Sequence, residues 1–281
     1  MYKFPIGVML DSFRLPFDEA LEKVVEVGAD GFQFYVSAGE FAPDNMTKEK
    51  CREIVKKVRD KGLVISALCG ETGHGFWQKE RNPEVLELSR KIFAMCGDLD
   101  TSIMTAHIGA IPADRSSEKY DILYKAMTEM GNIASYYGAT FAIETGPEKS
   151  DILEGFLKDL DNKGVRVNLD PANLTMVSGD DAVAAAHRLA KYTVHSHAKD
   201  GNMLQKVDPE CVYGGKPMPA NIQGPTFEEV PLGTGSVDFP NYLQALSEEG
   251  YKGFLTIERE VGDDPYKDIK MAVDFLKGLT R

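Results

Sequence analysis

Two histidines, His195 and His197, are separated by one residue within residues 192–200 (YTVHSHAKD). Side chains alternate between the two faces of a strand, so both imidazoles point to one side, while the opposite face is small or apolar. Burying two imidazole rings is costly unless other groups use them. The stretch therefore predicts a strand whose polar face belongs to a site, and the partners of the two rings must come from elsewhere in the chain.

Carboxylates stand late in three other predicted strands. Glu144 ends the strand in AIETG, Asp170 ends the strand in NLDPAN, and Glu258 lies in TIERE. Three ionised carboxylates at one place repel one another, and a divalent cation removes the repulsion by accepting them as ligands. Oxygen-rich ligation with one histidine suits Mn²⁺, Mg²⁺ or Co²⁺, and Zn²⁺ is a further option. These three residues and His197 are therefore the predicted metal ligands.

Each of these groups also has an ordinary structural explanation. Glu144 could be the ion-pair partner of a loop cation, Asp170 could cap the turn at the proline that follows it, and Glu258 could pair with a neighbouring cation. His195 could be a core histidine whose hydrogen bonds are all satisfied, and His107 in AHIGA is open to the same explanation. The occurrence of four such groups on four consecutive predicted strand ends favours one shared site over four independent coincidences.

Eight strand–helix alternations must position these groups. Alternation of this kind predicts parallel strands with helices outside, either closed into a (β/α)8 TIM barrel or arranged as an open doubly wound sheet. The barrel is favoured because the polar residues fall at strand ends, which converge on one face of a barrel. No GxGxxG follows the first strand, so a dinucleotide site is not expected. The predicted strands cover residues 5–11, 29–36, 63–69, 102–108, 140–145, 165–170, 192–200 and 253–260.

Length and composition predict a single α/β domain over residues 1–281. The chain is 43% hydrophobic and 27% charged, and no composition break resembles a linker. The longest connection, residues 201–238, is rich in Gly and Pro and is predicted to form an ordered loop over the mouth of the site.

Charge and targeting signals limit the possible partners. A net charge of −12 argues against binding to nucleic acid or to an anionic membrane. The chain has no apolar run of membrane-spanning length and no signal-peptide pattern at its start. Four scattered cysteines predict free thiols in a reducing cytoplasm. The oligomeric state stays open, and a homo-oligomer is one option.

At these residues the chain resembles the xylose-isomerase-like TIM-barrel superfamily, the sugar phosphate isomerase/epimerase family. The matching pieces are AIETGPE, NLDPANL, VHSHAKDG, the segment from PLGTGS to TIERE, and CGETGHGF after the third strand. The resemblance implies a barrel that binds one divalent metal through Glu144, Asp170, His197 and Glu258. Many members carry a histidine three residues after the metal-binding Asp, and this chain has Asn173 there.

The resemblance implies a metal-dependent sugar isomerase or epimerase that acts on a ketose or related keto-polyol through an enediolate. The metal acts as a Lewis acid, and Glu144 and Glu258 serve as the catalytic acid–base pair on opposite sides of the substrate. The side chain of Trp77 could form an apolar wall against the sugar or simply pack within its loop. The predicted substrate contacts are His74, Trp77, His107, Asn173, His195 and Lys199.

Three other functions stay open at this point. A dehydratase of a keto-polyol, such as an inosose, would use the same metal and the same first proton abstraction, but would then expel a hydroxyl. A phosphodiesterase similar to the apurinic endonucleases is disfavoured, because the chain has only five histidines and a strongly negative charge. A sugar-binding barrel without catalysis is disfavoured by the presence of both glutamates.

Overall fold

Eight parallel strands form a closed barrel in the computed structural model, which describes residues 3–73 and 75–280 of the chain. The barrel strands are β1 (Ile6–Met9), β2 (Gly31–Tyr35), β3 (Val64–Cys69), β4 (Ile103–Ala106), β5 (Thr140–Glu144), β6 (Val165–Leu169), β7 (Thr193–Ala198) and β10 (Leu255–Ile257), while β8 (Asp200–Met203) and β9 (Phe227–Val230) pair separately. Their order around the barrel is β1–β10–β7–β6–β5–β4–β3–β2, and β1 pairs with both β2 and β10. The predicted single-domain TIM barrel is confirmed.

Helices cover the outside of the barrel. Their amphipathic sequences place apolar side chains against the outer face of the barrel strands. Thr47 caps α2 by accepting a hydrogen bond from the backbone N–H of Lys50 at 3.2 Å. The helices are α1 (Phe17–Val27), α2 (Lys48–Asp60), α3 (Asn82–Cys96), α4 (Glu118–Tyr136), α5 (Ser150–Leu160), α6 (Pro171–Asn173), α7 (Ala182–Leu189), α8 (Pro209–Val212), α9 (Phe239–Glu248) and α10 (Pro265–Thr280). None of the helices within the described ranges is long and apolar enough to cross a membrane.

The seventh predicted strand is two strands in the structure. β7 ends at Ala198, and β8 begins at Asp200 and pairs antiparallel with β9. The Asp200 carboxylate is buried and accepts hydrogen bonds from the backbone N–H groups of Gly201, Gly233, Gly235 and Val237 at 2.9–3.1 Å. This one side chain therefore attaches both ends of the long insertion to the top of the barrel.

Candidate metal centre

Four buried side chains meet where the last strands of the barrel end. Glu144 closes β5, Asp170 follows β6, His197 lies near the end of β7, and Glu258 follows β10. One potential ligand atom from each lies within 4.8 Å of those from the other three. His197 Nδ1 is 3.3 Å from Glu144 Oε1, 3.5 Å from Glu258 Oε2 and 3.6 Å from Asp170 Oδ2. This cluster of three carboxylates and one imidazole could hold a metal ion.

Asp170 combines a capping role with a free oxygen. Its Oδ1 accepts hydrogen bonds from the backbone N–H groups of Ala172 and Asn173 at 2.8 and 3.0 Å, which starts the short helix α6. Its Oδ2 points to the cluster and has no hydrogen-bond donor among the described residues. Turn formation and ligation are therefore compatible in the same side chain, because each uses a different oxygen.

The imidazole of His197 is oriented from behind by Gln33 of β2. His197 Nε2 is 2.9 Å from Gln33 Oε1, and Gln33 Nε2 in turn donates to Thr105 Oγ1 at 2.6 Å. Asn168 Nδ2 also lies 3.2 Å from Nε2, a longer contact than that with Gln33. An amide oxygen only accepts, so the shorter contact with Gln33 places a proton on Nε2, and a neutral ring then has its lone pair on Nδ1. Nδ1 is buried with no hydrogen-bond partner among residues 3–73 and 75–280. The sequence analysis did not identify Gln33, whose only signal is one amide in an apolar strand.

His195 lies deeper in the barrel and does not line the cavity at the cluster. It is 1% exposed, its Nδ1 is 2.9 Å from Asn168 Oδ1, and its Nε2 is 2.8 Å from the Thr256 hydroxyl. Both ring nitrogens are thus engaged by neighbouring strands. Asn168 also donates to Glu144 Oε2 at 3.3 Å, so it links this ring to the cluster above.

Lys199 places a buried positive charge beside Glu258. Its Nζ donates to Glu258 Oε2 at 2.9 Å, contacts Glu260, and lies 3.7 Å from Glu229. Burial alone would lower the pKa of Lys199, but the surrounding carboxylates hold that pKa well above its ordinary value. Arg259 pairs with Glu229 at 2.6 Å and with Asp268 at 2.8 Å.

His107 approaches the cluster from β4. Its Nδ1 is 3.2 Å from Glu71 Oε2, which also accepts the backbone N–H of His107 at 2.9 Å. Its Nε2 is 3.6 Å from Glu144 Oε1, and its ring packs against Tyr213 of the insertion with centroids 5.2 Å apart. Burial would lower the pKa of His107, but Glu144 and Glu71 outweigh it and raise that pKa to about 9.

A cavity of about 230 Å³ lies above the cluster. Asn173 lines it and donates to Glu144 Oε1 at 3.3 Å. Trp77 does not line this cavity; its ring packs on Gly75 and Gly109. His74 lies outside the described residues. The lining residues are Tyr35, Cys69, Glu71, His107, Glu144, Asn173, Met176, Val177, Lys199, Val212, Tyr213, Phe227, Glu258 and Glu260.

The two glutamates of the cluster have opposite pKa shifts. Burial raises the pKa of Glu258, although Lys199 and His197 oppose the shift. Burial acts in the same direction on Glu144, but the positive charges of His107 and His197 outweigh it and hold the pKa of Glu144 below its ordinary value. Carboxylates whose environments separate their pKa values are suited to different parts in proton transfer.

Known proteins resemble this chain over most of its length. An uncharacterised protein of Methanocaldococcus jannaschii is 22% identical over 274 residues, which cover 92% of this chain and 84% of that protein. An inosose dehydratase of Clostridium beijerinckii is 23% identical over 193 residues, which cover 66% of this chain and 61%, less than two thirds, of the dehydratase. The solved structure of a xylose isomerase domain protein from Planctomyces limnophilus superposes with a TM-score of 0.79 at 26% identity, covering 99% of this chain and 97% of that one.

The family model described as "Xylose isomerase-like TIM barrel" matches residues 21–279. That match includes seven of the eight barrel strands and all four residues of the cluster. The resemblance seen in the sequence motifs, the closed barrel and the family match agree with one another. The chain therefore belongs to the xylose isomerase-like TIM barrel family.

Proposed function

We propose that the protein is a divalent-metal-dependent isomerase or epimerase of a ketose or related keto-polyol. The observation that carries the proposal is the buried cluster of Glu144, Asp170, His197 and Glu258 beneath a small cavity at the carboxyl ends of the strands. Active sites of TIM-barrel enzymes lie at this face. A cavity of about 230 Å³ suits a single small sugar unit better than a large ligand.

The four side chains fit a divalent cation. Unpaired ligand atoms, His197 Nδ1 and Asp170 Oδ2, face one another at 3.6 Å among the described residues, and both are buried. Buried polar atoms without partners are rare in proteins and call for an explanation such as an ion. Three carboxylates with one imidazole favour Mn²⁺, Mg²⁺ or Co²⁺, with Zn²⁺ as a further option. When bound, such an ion supplies Lewis acidity toward the oxygens of a carbonyl-bearing substrate.

Glu144 and Glu258 are assigned the proton transfers. β6 and β7 lie between β5 and β10, so the two carboxylates approach the cluster from its two sides. Glu258, with its raised pKa, takes the proton from the carbon beside the carbonyl, and Lys199 holds its carboxylate in place. Return of a proton to the neighbouring carbon gives isomerisation. Return to the other face of the same carbon, from the side of Glu144, gives epimerisation.

Two further polar groups at the cavity are assigned to the substrate. His107 and Asn173 border Glu144 and can hydrogen-bond substrate hydroxyls, and the insertion residue Tyr213 helps to keep water out. Trp77 and His195, which do not line this cavity, are assigned to packing and to support of the cluster.

A dehydratase of a keto-polyol is the second candidate function, favoured by the similarity to an inosose dehydratase. It shares the first step, but the substrate then loses a hydroxyl on the adjacent carbon, and the departing oxygen needs a proton. His107 Nε2 lies at the cavity, 3.6 Å from Glu144, and is held there by Glu71. It is therefore placed to donate that proton.

Metal analysis combined with deuterium exchange tests the proposal. We expect one equivalent of metal in the purified protein and incorporation of solvent deuterium into at least one member of a panel of ketoses and inososes. Loss of water from an inosose, seen as enone absorbance, would select the dehydratase.

The test variant combines Glu144→Gln with Asp170→Asn, and the control combines Glu53→Gln with Asp263→Asn at exposed positions. The test variant should lose both the metal and the exchange, whereas the control should keep both. Full metal content in the test variant would contradict the assignment.

A further inference from the structure

A second cavity, here called the outer cavity, adjoins the one above the cluster. It has a volume of about 730 Å³ and lies between the segments that follow β4 and β5 and the long insertion. Ile111, Ile152, Met203 and Ile222 contribute apolar walls. Its volume is within the range of ligand pockets, roughly 300–1,000 Å³, whereas the cavity above the cluster is smaller than that range.

The two cavities are neighbours in the fold. Val177 lines both of them. The short helix α8 and the residue after it border both, with Pro209 on the outer cavity and Val212 and Tyr213 on the cavity above the cluster. A molecule with two parts could therefore occupy both cavities, with its connecting bond near Val177.

A buried carboxylate lines the outer cavity and is used by none of the steps proposed above. Glu148 is 5% exposed, and its Oε2 accepts the backbone N–H of Ile111 at 3.2 Å. The carboxylate also faces the outer cavity as one of its lining groups. Burial raises the pKa of Glu148 to about 7. A carboxylate oxygen has two lone pairs, so a carboxylate that lines a cavity can accept a hydrogen bond from a ligand hydroxyl.

The charges around the outer cavity are balanced. Its lining includes three acidic side chains, Glu148, Asp208 and Glu210, and three basic ones, Lys149, Lys206 and Lys216. Lys216 pairs with Asp208 at 2.6 Å and with Glu210 at 3.2 Å, whereas Lys149 and Lys206 form no ion pair within the described part of the chain. Glu148 would repel a negatively charged ligand, and the ammonium groups of Lys149 and Lys206 would repel a positively charged one. A neutral ligand with hydroxyls can donate to the carboxylate and accept from the lysines.

We propose that the outer cavity is a second substrate subsite, which binds a neutral, hydroxyl-bearing ring joined to the sugar unit held above the cluster. The apolar walls pack against the C–H faces of that ring, and Glu148 accepts one of its hydroxyls. The inference rests on the proposed function for the identity of the first unit. It narrows the substrate class to a keto sugar that carries a second ring, such as a glycoside.

Ligand-observed NMR titration tests this subsite without turnover. The probes are maltose, cellobiose and sucrose, with glucose and fructose as the single-ring comparison. We expect at least one disaccharide to bind the wild-type protein about tenfold more tightly than its component sugars. Equal affinities across the whole panel would overturn the proposal.

Three variants test whether the outer cavity is responsible for the tighter binding of disaccharides. Glu148→Gln should weaken disaccharide binding, and Ala113→Trp, at an exposed lining position, should fill the outer cavity and abolish the preference while single sugars bind as before. Ala184→Trp, on the exposed face of α7, is the control and should keep the preference. A preference that survives Ala113→Trp would contradict the assignment of the cavity.

The metal and exchange assays of the same protein keep the two proposals apart. A disaccharide preference in a protein that shows neither bound metal nor deuterium exchange would support the subsite and contradict the proposed enzyme activity. Deuterium exchange into single-ring ketoses without any disaccharide preference would support the proposed activity and contradict the subsite.

Discussion

Two polar layers lie inside the barrel, and they contain histidines two residues apart on the same strand. In the deeper layer, both ring nitrogens of His195 are hydrogen-bonded, to Asn168 and Thr256. In the layer at the mouth, His197 Nδ1 and Asp170 Oδ2 have no hydrogen-bond partner among the described residues. The ring of His195 in the deeper layer therefore has all its hydrogen bonds. The layer at the mouth, here called the mouth layer, consists of Glu144, Asp170, His197 and Glu258 and contains potential ligand atoms without a hydrogen-bond partner. Unsatisfied atoms, more than polarity itself, distinguish a binding site from a buried hydrogen-bond network.

The two histidines also show that burial does not decide the direction of a pKa shift. Both rings are almost fully buried, at 1% and 0% exposure. Burial lowers the pKa of His195 well below its ordinary value. It acts in the same way on His197, but Glu144 and Glu258 outweigh it and raise the pKa of His197 well above its ordinary value. The charges of neighbouring side chains therefore separate a neutral supporting ring from one that binds a proton or a cation.

The largest expected effect is the loss of catalysis when Glu258, the proposed base, is replaced. Glu258→Gln removes the carboxylate that accepts the proton, so the rate of deuterium exchange should fall by about 10²–10⁴-fold. Glu260→Gln is the matched control, because Glu260 also contacts Lys199 but is 56% exposed and outside the cluster. Its exchange rate should stay within a few-fold of the wild type. Equal losses in the two variants would assign the effect to Lys199 and not to the base.

A pair of histidine variants tests whether the two layers are separable. His197→Gln removes a proposed ligand, so metal affinity should fall by at least about a hundredfold. His195→Gln leaves the ligands in place, but disturbs hydrogen bonds to Asn168 and Thr256, so the free energy of unfolding should fall by about 1–3 kcal/mol. Metal titration and urea unfolding measure the two quantities. Loss of metal to the same degree in both variants would show that the layers act as one.

Metal binding should release a proton from the mouth layer. The raised pKa of His197 means that the metal-free ring is protonated at pH 7, and a ligand nitrogen must lose that proton. We expect release of about one proton, and an affinity that rises about tenfold per pH unit until pH reaches the raised pKa. Calorimetry in two buffers of different ionisation enthalpy measures the release. Identical heats in both buffers would contradict it.

The same shift fixes the pH dependence of stability in the metal-free protein. Because the folded pKa of His197 is raised, the stability from its ion pairs is fully present below the unfolded pKa, about 6.5, and is lost as pH rises through the folded pKa. Urea unfolding of metal-free wild-type protein should show this loss, and His197→Gln should lack it. A wild-type stability that rises over this interval would contradict the assignment.

The barrel and the cluster could be predicted because both follow from regular patterns. Apolar strands alternating with amphipathic helices specify a parallel sheet, and the carboxyl ends of its strands converge when the sheet closes. The relative positions of Glu144, Asp170, His197 and Glu258 therefore follow from topology alone. Their approach to within 4.8 Å needs no knowledge of rotamers beyond the direction in which each strand residue points.

The supporting side chains could not be predicted, because their partners lie on strands that are distant in sequence. Gln33 and His197 are 164 residues apart, and a lone amide in an apolar strand does not reveal which residue it faces across the barrel. The short strands β8 and β9 were missed because the insertion has no periodic pattern. The contact of Tyr213 with His107 depends on the path of this insertion, which Asp200 sets through backbone hydrogen bonds.

The smallest expected effect concerns the connection between His197 and the barrel wall. Gln33→Leu removes the acceptor for His197 Nε2–H, so the ring is no longer held with Nδ1 toward the carboxylates, and metal affinity should fall about tenfold. Thr105→Val is the control, because it removes the hydroxyl that Gln33 donates to and leaves the contact with His197 intact. Both variants should lose stability by about 1 kcal/mol, since each breaks a buried hydrogen bond.

Comparison of these two variants separates orientation of the ring from simple packing. Metal titration should show the affinity loss only in Gln33→Leu, although urea unfolding should show similar destabilisation in both. If Thr105→Val weakened metal binding as much as Gln33→Leu, the loss would follow from destabilisation of the barrel wall. If neither variant changed metal affinity, the carboxylates alone would hold His197 in position, and the mouth layer would be independent of the strands behind it.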